Sequence, residues 1–316
     1  MSRPLVVLGV SRSGTTLLRV VLDRSPGIAI PDESFFVPVL ARRHRRTIDV
    51  RRFLDDVARI PTIKAWGLRV DDVRPRVRSG MATGDAIAAI FEAYAERRGK
   101  PRWGDKTPMY MRHLPLLEHL FPEAQYVHLV RDGRDAALSF LEMPEGTFTR
   151  TWAHPTTPAQ FACVWRTEVS AARTLGRCVG GARYHEVRYE DLVVDPTAVV
   201  TTICSFAEIP FQPDMLAYAG TVDVSDKPHQ LRLRRPPTPG VRSWREDMSA
   251  SDVAAFEAVA GDLLEELGYE VTSSRSSVRG ATARAWYDAR LAAWNASTSL
   301  VQRSPLWRRR HTRLSP

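Results

Sequence analysis

The stretch PLVVLGVSRSGTTLLRVVLD, residues 4–23, carries the first residue types able to do chemistry. From Gly9 to Thr16 it fits G-x-x-x-x-G-x-[ST], the spacing of a phosphate-cradling loop. Thr15 stands where nucleotide hydrolases carry a lysine. The physics of such a loop survives that change, because successive backbone N–H groups and the positive end of the following helix still converge on one point. Arg12 adds a permanent charge within the loop. The pattern defines an anion site lacking the lysine of a Mg-ATP site.

Four further segments hold reactive side chains at suggestive places. RWGDKTPMY brings Lys106, one of only 4 lysines among 45 basic residues, to the end of a short strand. RDGRDAALS sets Arg131 at a strand end and Ser139 eight residues on, in a helix. A guanidinium fork there can grip phosphate oxygens in two directions. The competing reading pairs Arg131 with Asp132 or Asp135, and Arg134 fits the same description of a solvated cap. PDESFFVP offers two neighbouring carboxylates, Asp32 and Glu33. Either is a candidate general base, helped by burial that raises a carboxyl pKa toward the useful range. VRYEDL places Tyr189 at a turn, where it either contacts a ligand or anchors the chain, with Glu190 and Asp191 as caps of the next turn. No metal-ligand spacing and no G-x-S-x-G elbow occurs.

Taken together and in order, SRSGTT, DKTP, RDGRDAALS and VRYEDL resemble the sulfotransferases that use 3′-phosphoadenosine 5′-phosphosulfate. The likeness is greatest to the tyrosylprotein-sulfotransferase-like branch and its bacterial relatives, and it covers roughly residues 5 to 268. The resemblance implies that Arg12, Ser13, Gly14, Thr15 and Thr16 hold the 5′-phosphosulfate, without metal. It implies that Arg131 and Ser139 hold the 3′-phosphate and that Tyr189 contacts the nucleotide. Glu33 takes the position of the catalytic base and Lys106 that of the lysine set against the bridging oxygen of the donor. GVRSWREDM resembles the loop closing over the nucleotide, with Ser243 as a stabilising hydroxyl, and Lys227 in DKP is a further match. The product of that chemistry is adenosine 3′,5′-bisphosphate.

One departure from the branch bears on the acceptor. Two and six residues after Glu33, where the tyrosylprotein branch has arginines that read acidic peptides, this chain has Phe35 and Val39. An apolar wall favours a small phenol or alcohol, a natural product for instance, over a peptidyl tyrosine. Arg42, Arg43, Arg45 and Arg46 keep the peptide alternative open. Two other readings are a P-loop small-molecule kinase, disfavoured by Thr15, and a non-catalytic nucleotide-binding protein that lost its base.

Alternating strand and helix signals must position these residues, which predicts an α/β fold with a central, mainly parallel sheet flanked by helices. Leu5 to Leu8 and AQYVHLV read as buried strands, the second keeping His128 in the interior. Helices are expected to about Asp23, from about Thr83 to Arg98, after an Asp132 N-cap, over 159–175, and from Ser251 to Leu267 with Gly268 as the stop. ARYHEVRYEDLV reads as a strand and turn, IPDESFFVPVLARRHRR as a Pro/Arg-rich connection, and Lys227 to Asp247 as a long loop.

The chain has 316 residues, 44% of them hydrophobic and 26% charged, ordinary for a globular protein. Its +9 charge is uneven: residues 271–316 hold nine Arg against the single acid Asp288, which leaves about +1 for residues 1–270. This division predicts a sulfotransferase domain over 1–270 and a basic helical tail over 271–316. Tyr287, Leu291, Trp294 and Val301 share one face of that helix, set to pack on the domain or a second subunit. Contact with an anionic membrane or an acidic partner is the alternative, and PLWRRRHTRLSP is expected to be mobile. A near-neutral body excludes nucleic-acid binding as its main role. No apolar run reaches membrane-span length and LVVLGV is too short for a signal peptide, so the expected location is the cytoplasm. Cys163, Cys178 and Cys204 show no paired spacing and read as reduced thiols.

Overall fold

Four short strands pair only in parallel: Leu5–Leu8 (β1), Gly104–Asp105 (β2), Gln125–Val130 (β3) and Tyr184–Arg188 (β4), in the order β2-β1-β3-β4. The computed structural model describes residues 3–143, 154–219, 243–272 and 277–303. Alternation along each strand sorts side chains between two layers. Leu5 and Val7, with Val127 and Leu129, pack on helices Thr15–Asp23 (α1) and, further along, Tyr189–Val194 (α10) and Pro196–Phe206 (α11). Val6 and Leu8, with Tyr126 and Val130, face the larger layer. That layer includes Val37–His44 (α2), Val50–Ala58 (α3), Pro61–Ala65 (α4), Val70–Val73 (α5), Thr83–Arg97 (α6), Leu114–Leu120 (α7), Gly133–Leu141 (α8), Pro158–Val179 (α9) and Ala250–Glu266 (α13). Between α11 and α13 lies Trp244–Asp247 (α12), and Ser277–Arg303 (α14) ends the described chain. β1, β2 and β3 are thus buried on both faces, as an all-parallel sheet requires, while the edge strand β4 is half-buried apart from Val187.

Local chemistry explains the boundaries. Asp132 caps α8 by accepting from the Arg134 N–H at 2.9 Å. Thr157 caps α9 ahead of Pro158, and Ser249 caps α13 through the Asp252 N–H. Gly268, at φ 77°, follows α13 where a left-handed residue ends a helix.

Several expectations need correction. The Pro/Arg-rich connection contains α2, because Pro38 falls in its first turn, where a missing N–H costs nothing. The segment after β4 is the helix α10 rather than a turn. Residues 50–73 hold three helices that no motif announced. Arg134 is no solvated cap: it is fully buried, bound to Asp132 at 2.7 Å and to Glu257 of α13 at 2.6 Å, with the Trp244 ring 3.6 Å from its guanidinium carbon.

The long C-terminal helix α14 rests on α13 and α9. Tyr287 is buried, Arg284 donates to the Val259 carbonyl at 3.0 Å, and Gly280 lies so close to the Ala258 carbonyl that no side chain fits. Trp286, by contrast, is 56% exposed. The side chains of Leu291, Trp294 and Val301 lie outside the described residues, as do the stretch from Lys227 to Arg242 and all of PLWRRRHTRLSP. Cys163 and Cys204 are buried and Cys178 is exposed, all three free. Among the described residues no helix is long and apolar enough to cross a membrane.

Candidate active site

The carboxyl ends of all four strands meet at one edge of the sheet, where ligands bind in open α/β folds. β1 runs into the anion loop, β2 into Lys106, β3 into Arg131 and β4 into Tyr189. A fifth segment joins them: Ala29 bridges Trp103 in parallel, and the Gly104 N–H donates to the Ala29 carbonyl at 2.9 Å. That pairing delivers Asp32 and Glu33 to the same edge as Lys106.

In the loop, Arg12 (φ 74°) and Gly14 (φ 92°) both take the left-handed conformation. Gly14 needs to be glycine twice over, since a Cβ there would also stand 2.4 Å from the Tyr189 ring. Thr15 is buried with its methyl against Gly9, so what it offers a ligand is its backbone N–H at the start of α1. Ser13 is fully buried, and its Oγ has no hydrogen-bond partner among the described residues. Such a group normally has a partner, so an anion in the loop is the fitting occupant.

Arg12 reaches across the loop and donates from Nε to Ser139 Oγ at 3.0 Å. Arg131 donates to the Arg12 carbonyl at 3.2 Å, lies 3.9 Å from Asp135, and stacks 4.7 Å over the Tyr189 ring. Its Nε has no partner among the described residues. Neither rival for Arg131 accounts for this geometry: Asp135 is at the margin of an ion pair, and Asp132 is taken by Arg134. Tyr189 packs against Gly14 and beneath Arg131. Glu190 does not cap locally; it accepts from the Asp132 N–H at 3.0 Å and from Tyr269 OH at 2.9 Å.

On the acceptor side, Lys106 Nζ lies 2.5 Å from Glu33 Oε1 and 3.2 Å from Thr16 Oγ1. Burial pushes the lysine ammonium down from its ordinary value, and the Glu33 carboxylate partly restores it. Lys106 is 2% exposed whereas Glu33 is 31% exposed, so the carboxylate is the member open to a partner. Asp32 points away to Arg19 at 3.0 Å and is 49% exposed. The two carboxylates are therefore separated by role: one faces the anion loop through Lys106, the other is held by the largely buried Arg19 of α1.

Ser243 is placed differently. It precedes α12, whose Trp244 N–H donates to Asp135 Oδ1 at 2.8 Å, beside α8. Among the described residues no hydrogen bond joins Ser243 to Lys106, Glu33 or the loop. Asp135, expected from the sequence only as a rival partner of Arg131, thus stands between Arg131 and α12, and burial pushes its carboxyl up to about 6.

Residues 4–213 match the profile of the Sulfotransferase family, and the chain belongs to that family. Nodulation protein NoeE of Sinorhizobium fredii (strain NBRC 101917 / NGR234) is 28% identical over 286 residues, which is 84% of this chain and 65% of that protein. Protein-tyrosine sulfotransferase A of Caenorhabditis elegans is 24% identical over 276 residues, 83% of this chain and 66% of its own. The chain spans about two thirds of the length of these two relatives. Among solved structures, the sulfotransferase domain from the Synechococcus PCC 7002 olefin synthase superposes with a TM-score of 0.60 at 27% identity, covering 86% of this chain and 98% of that domain.

Proposed function

We propose that this sulfotransferase moves a sulfuryl group from 3′-phosphoadenosine 5′-phosphosulfate to the hydroxyl of a small natural-product acceptor, without metal and in the cytoplasm. The observation that carries the reading is Lys106, whose ammonium touches both Thr16 of the anion loop and Glu33. The nucleotide supplies an activated sulfuryl group. The loop N–H groups, Ser13 and Arg12 bind its 5′ end, and Arg131 with Ser139 takes the 3′-phosphate. Lys106 neutralises negative charge that develops beside the loop, while Glu33 accepts the proton of the acceptor hydroxyl. Ser243 is assigned to the nucleotide side, near Asp135. Positioning and electrostatics do the work, as in phosphoryl transfer.

Phe35, half-buried beside Glu33, and the buried Val39 support an apolar acceptor over an acidic peptide. So does the likeness to a domain of an olefin synthase, an enzyme named for a small-molecule product. A peptidyl-tyrosine acceptor is the second reading, favoured by the tyrosine-sulfotransferase relative and by the exposed Arg42 in the last turn of α2 with Arg45 and Arg46 just after it. Incubation with the donor and a panel of phenols, alcohols and tyrosine peptides, read by mass spectrometry, separates the two. Glu33→Gln should lower turnover by about 10²- to 10⁴-fold with nucleotide affinity unchanged. Asp32→Asn should be mild, and the reverse order would move the base by one residue.

A further inference from the structure

Glu33 and Lys106 come from segments 73 residues apart, and a buried clamp one residue behind each of them fixes their separation. Between Glu33 and α2 the chain makes a three-residue turn, closed by the Phe36 N–H donating to the Ser34 carbonyl at 2.7 Å. Phe35 at its apex has φ 56°, a left-handed conformation that strains a non-glycine residue. Something must hold it there.

Three fully buried hydroxyls do. The Ser34 N–H donates to Thr107 Oγ1 at 3.0 Å, and Ser34 Oγ lies 3.2 Å from Thr107 Oγ1 and 2.7 Å from Tyr110 OH. Tyr110 OH accepts from the Val37 N–H at 3.1 Å, so its own hydrogen is free for Ser34. Thr107 in turn donates to Asp105 Oδ1 at 3.2 Å. Alternation at the end of β2 divides the labour: Asp105 and Thr107 turn into the clamp, and Lys106 between them turns into the site. Behind the hydroxyls an aromatic stack joins the same two segments, with Phe36 5.4 Å from Phe91 and Phe91 4.5 Å from Trp103.

We propose that Tyr110 is a positioning residue for Glu33, setting the carboxylate against Lys106 by holding Ser34 and the first N–H of α2. The consequence for catalysis rests on the reading of Glu33 as the base; the consequence for geometry does not. Among the described residues no hydrogen bond joins Tyr110 to Glu33 or Lys106, so its effect must pass through the turn.

The test is Tyr110→Phe, which removes one oxygen and keeps the ring. Turnover is measured with the sulfuryl donor and 2-naphthol as probe hydroxyl, and should fall roughly 10- to 100-fold. The dissociation constant for adenosine 3′,5′-bisphosphate, from calorimetry, should stay at the wild-type value. In a Glu33→Gln background the same substitution should cost nothing further, because the group it positions is already gone. Thr107→Ser should keep activity that Thr107→Val loses. Crystal structures supply a readout independent of turnover: in Tyr110→Phe the Glu33–Lys106 hydrogen bond should be broken. Wild-type turnover in Tyr110→Phe, an equal loss in both backgrounds, or an unmoved Glu33 in the crystal overturns the proposal. An active Glu33→Gln removes the base reading instead, and the crystal comparison then decides the positioning role by itself.

Discussion

Arg12 donates through Nε to Ser139 Oγ at 3.0 Å although 127 residues separate the two. The loop after β1 and the helix after β3 therefore form one electropositive cleft, with Arg131 bonded to the Arg12 backbone at its base. The two phosphate grips implied by the motifs are contiguous, and each preorganises the other.

On the proposed function, this contiguous cleft should bind adenosine 3′,5′-bisphosphate without metal. Titration calorimetry should give the same affinity with magnesium and with EDTA. Arg131→Ala should weaken binding about 10- to 100-fold, the worth of a charge-assisted hydrogen bond to a buried phosphate. An EDTA-sensitive isotherm would argue for metal-nucleotide chemistry instead.

Gly14→Ala should be far more damaging than a methyl group suggests. The residue sits at φ 92° and its Cβ would press on the Tyr189 ring, which itself supports Arg131. Thermal melts should show a loss of about 1–3 kcal/mol in stability. Nucleotide binding should drop at least ten-fold, because the ring cannot yield without moving the guanidinium. A variant that melts and binds like wild type would mean the loop has another accessible shape.

Asp105 gives a pH signature. It is fully buried, its Oδ2 has no partner among the described residues, and burial pushes its carboxyl up to about 7. A folded-state value above the unfolded one means the native protein holds the extra proton, so this stability is present below about pH 4 and is lost as pH rises through 7. Asp105→Asn cannot lose that proton. The melting-temperature difference, variant minus wild type, should grow between pH 4 and 7 and level off above about pH 7.5. A flat difference across that range would show that Asp105 does not titrate there.

Shortening the C-terminus should separate two parts of one helix. Removing residues after Arg290 should leave the melting temperature and nucleotide affinity unchanged. Removing everything from Ser277 onward strips Tyr287 and the Gly280 contact from α13, and should lower the melting temperature by several degrees. Equal stability of both truncations would show that the packed half contributes nothing.

How far this architecture was legible depends on how local each signal is. The anion loop, the strand at 125–130 and the closing helix are written in contiguous residues: a glycine pair, an apolar run, a serine cap and a glycine stop. Helix α2 was hidden because a proline reads as a breaker until its place in the first turn is known. Arg134 was misread because nothing in RDGRDAALS announces Glu257, which buries it. Lys106 and Glu33 were both candidates, but only the pairing of Ala29 with Trp103 shows that they meet. Tyr110 and Ser34 left no local trace, since a hydroxyl acquires its meaning from a partner 76 residues away.

Buried Arg134 also bears on the order in which the protein comes into being. Its second carboxylate, Glu257, is 123 residues further along the chain, and both side chains are sealed from water. During synthesis, therefore, Arg134 has its neighbour Asp132 from the start but gains its second carboxylate only once α13 has been made. It is the Glu257 carboxylate that cannot be sealed from water without a large penalty unless that guanidinium is in place, so α13 packs onto α8 and not ahead of it. A message truncated just after residue 213 would encode all four described strands and the whole anion loop, and yet lack Trp244 and Glu257, which together with Asp132 enclose Arg134.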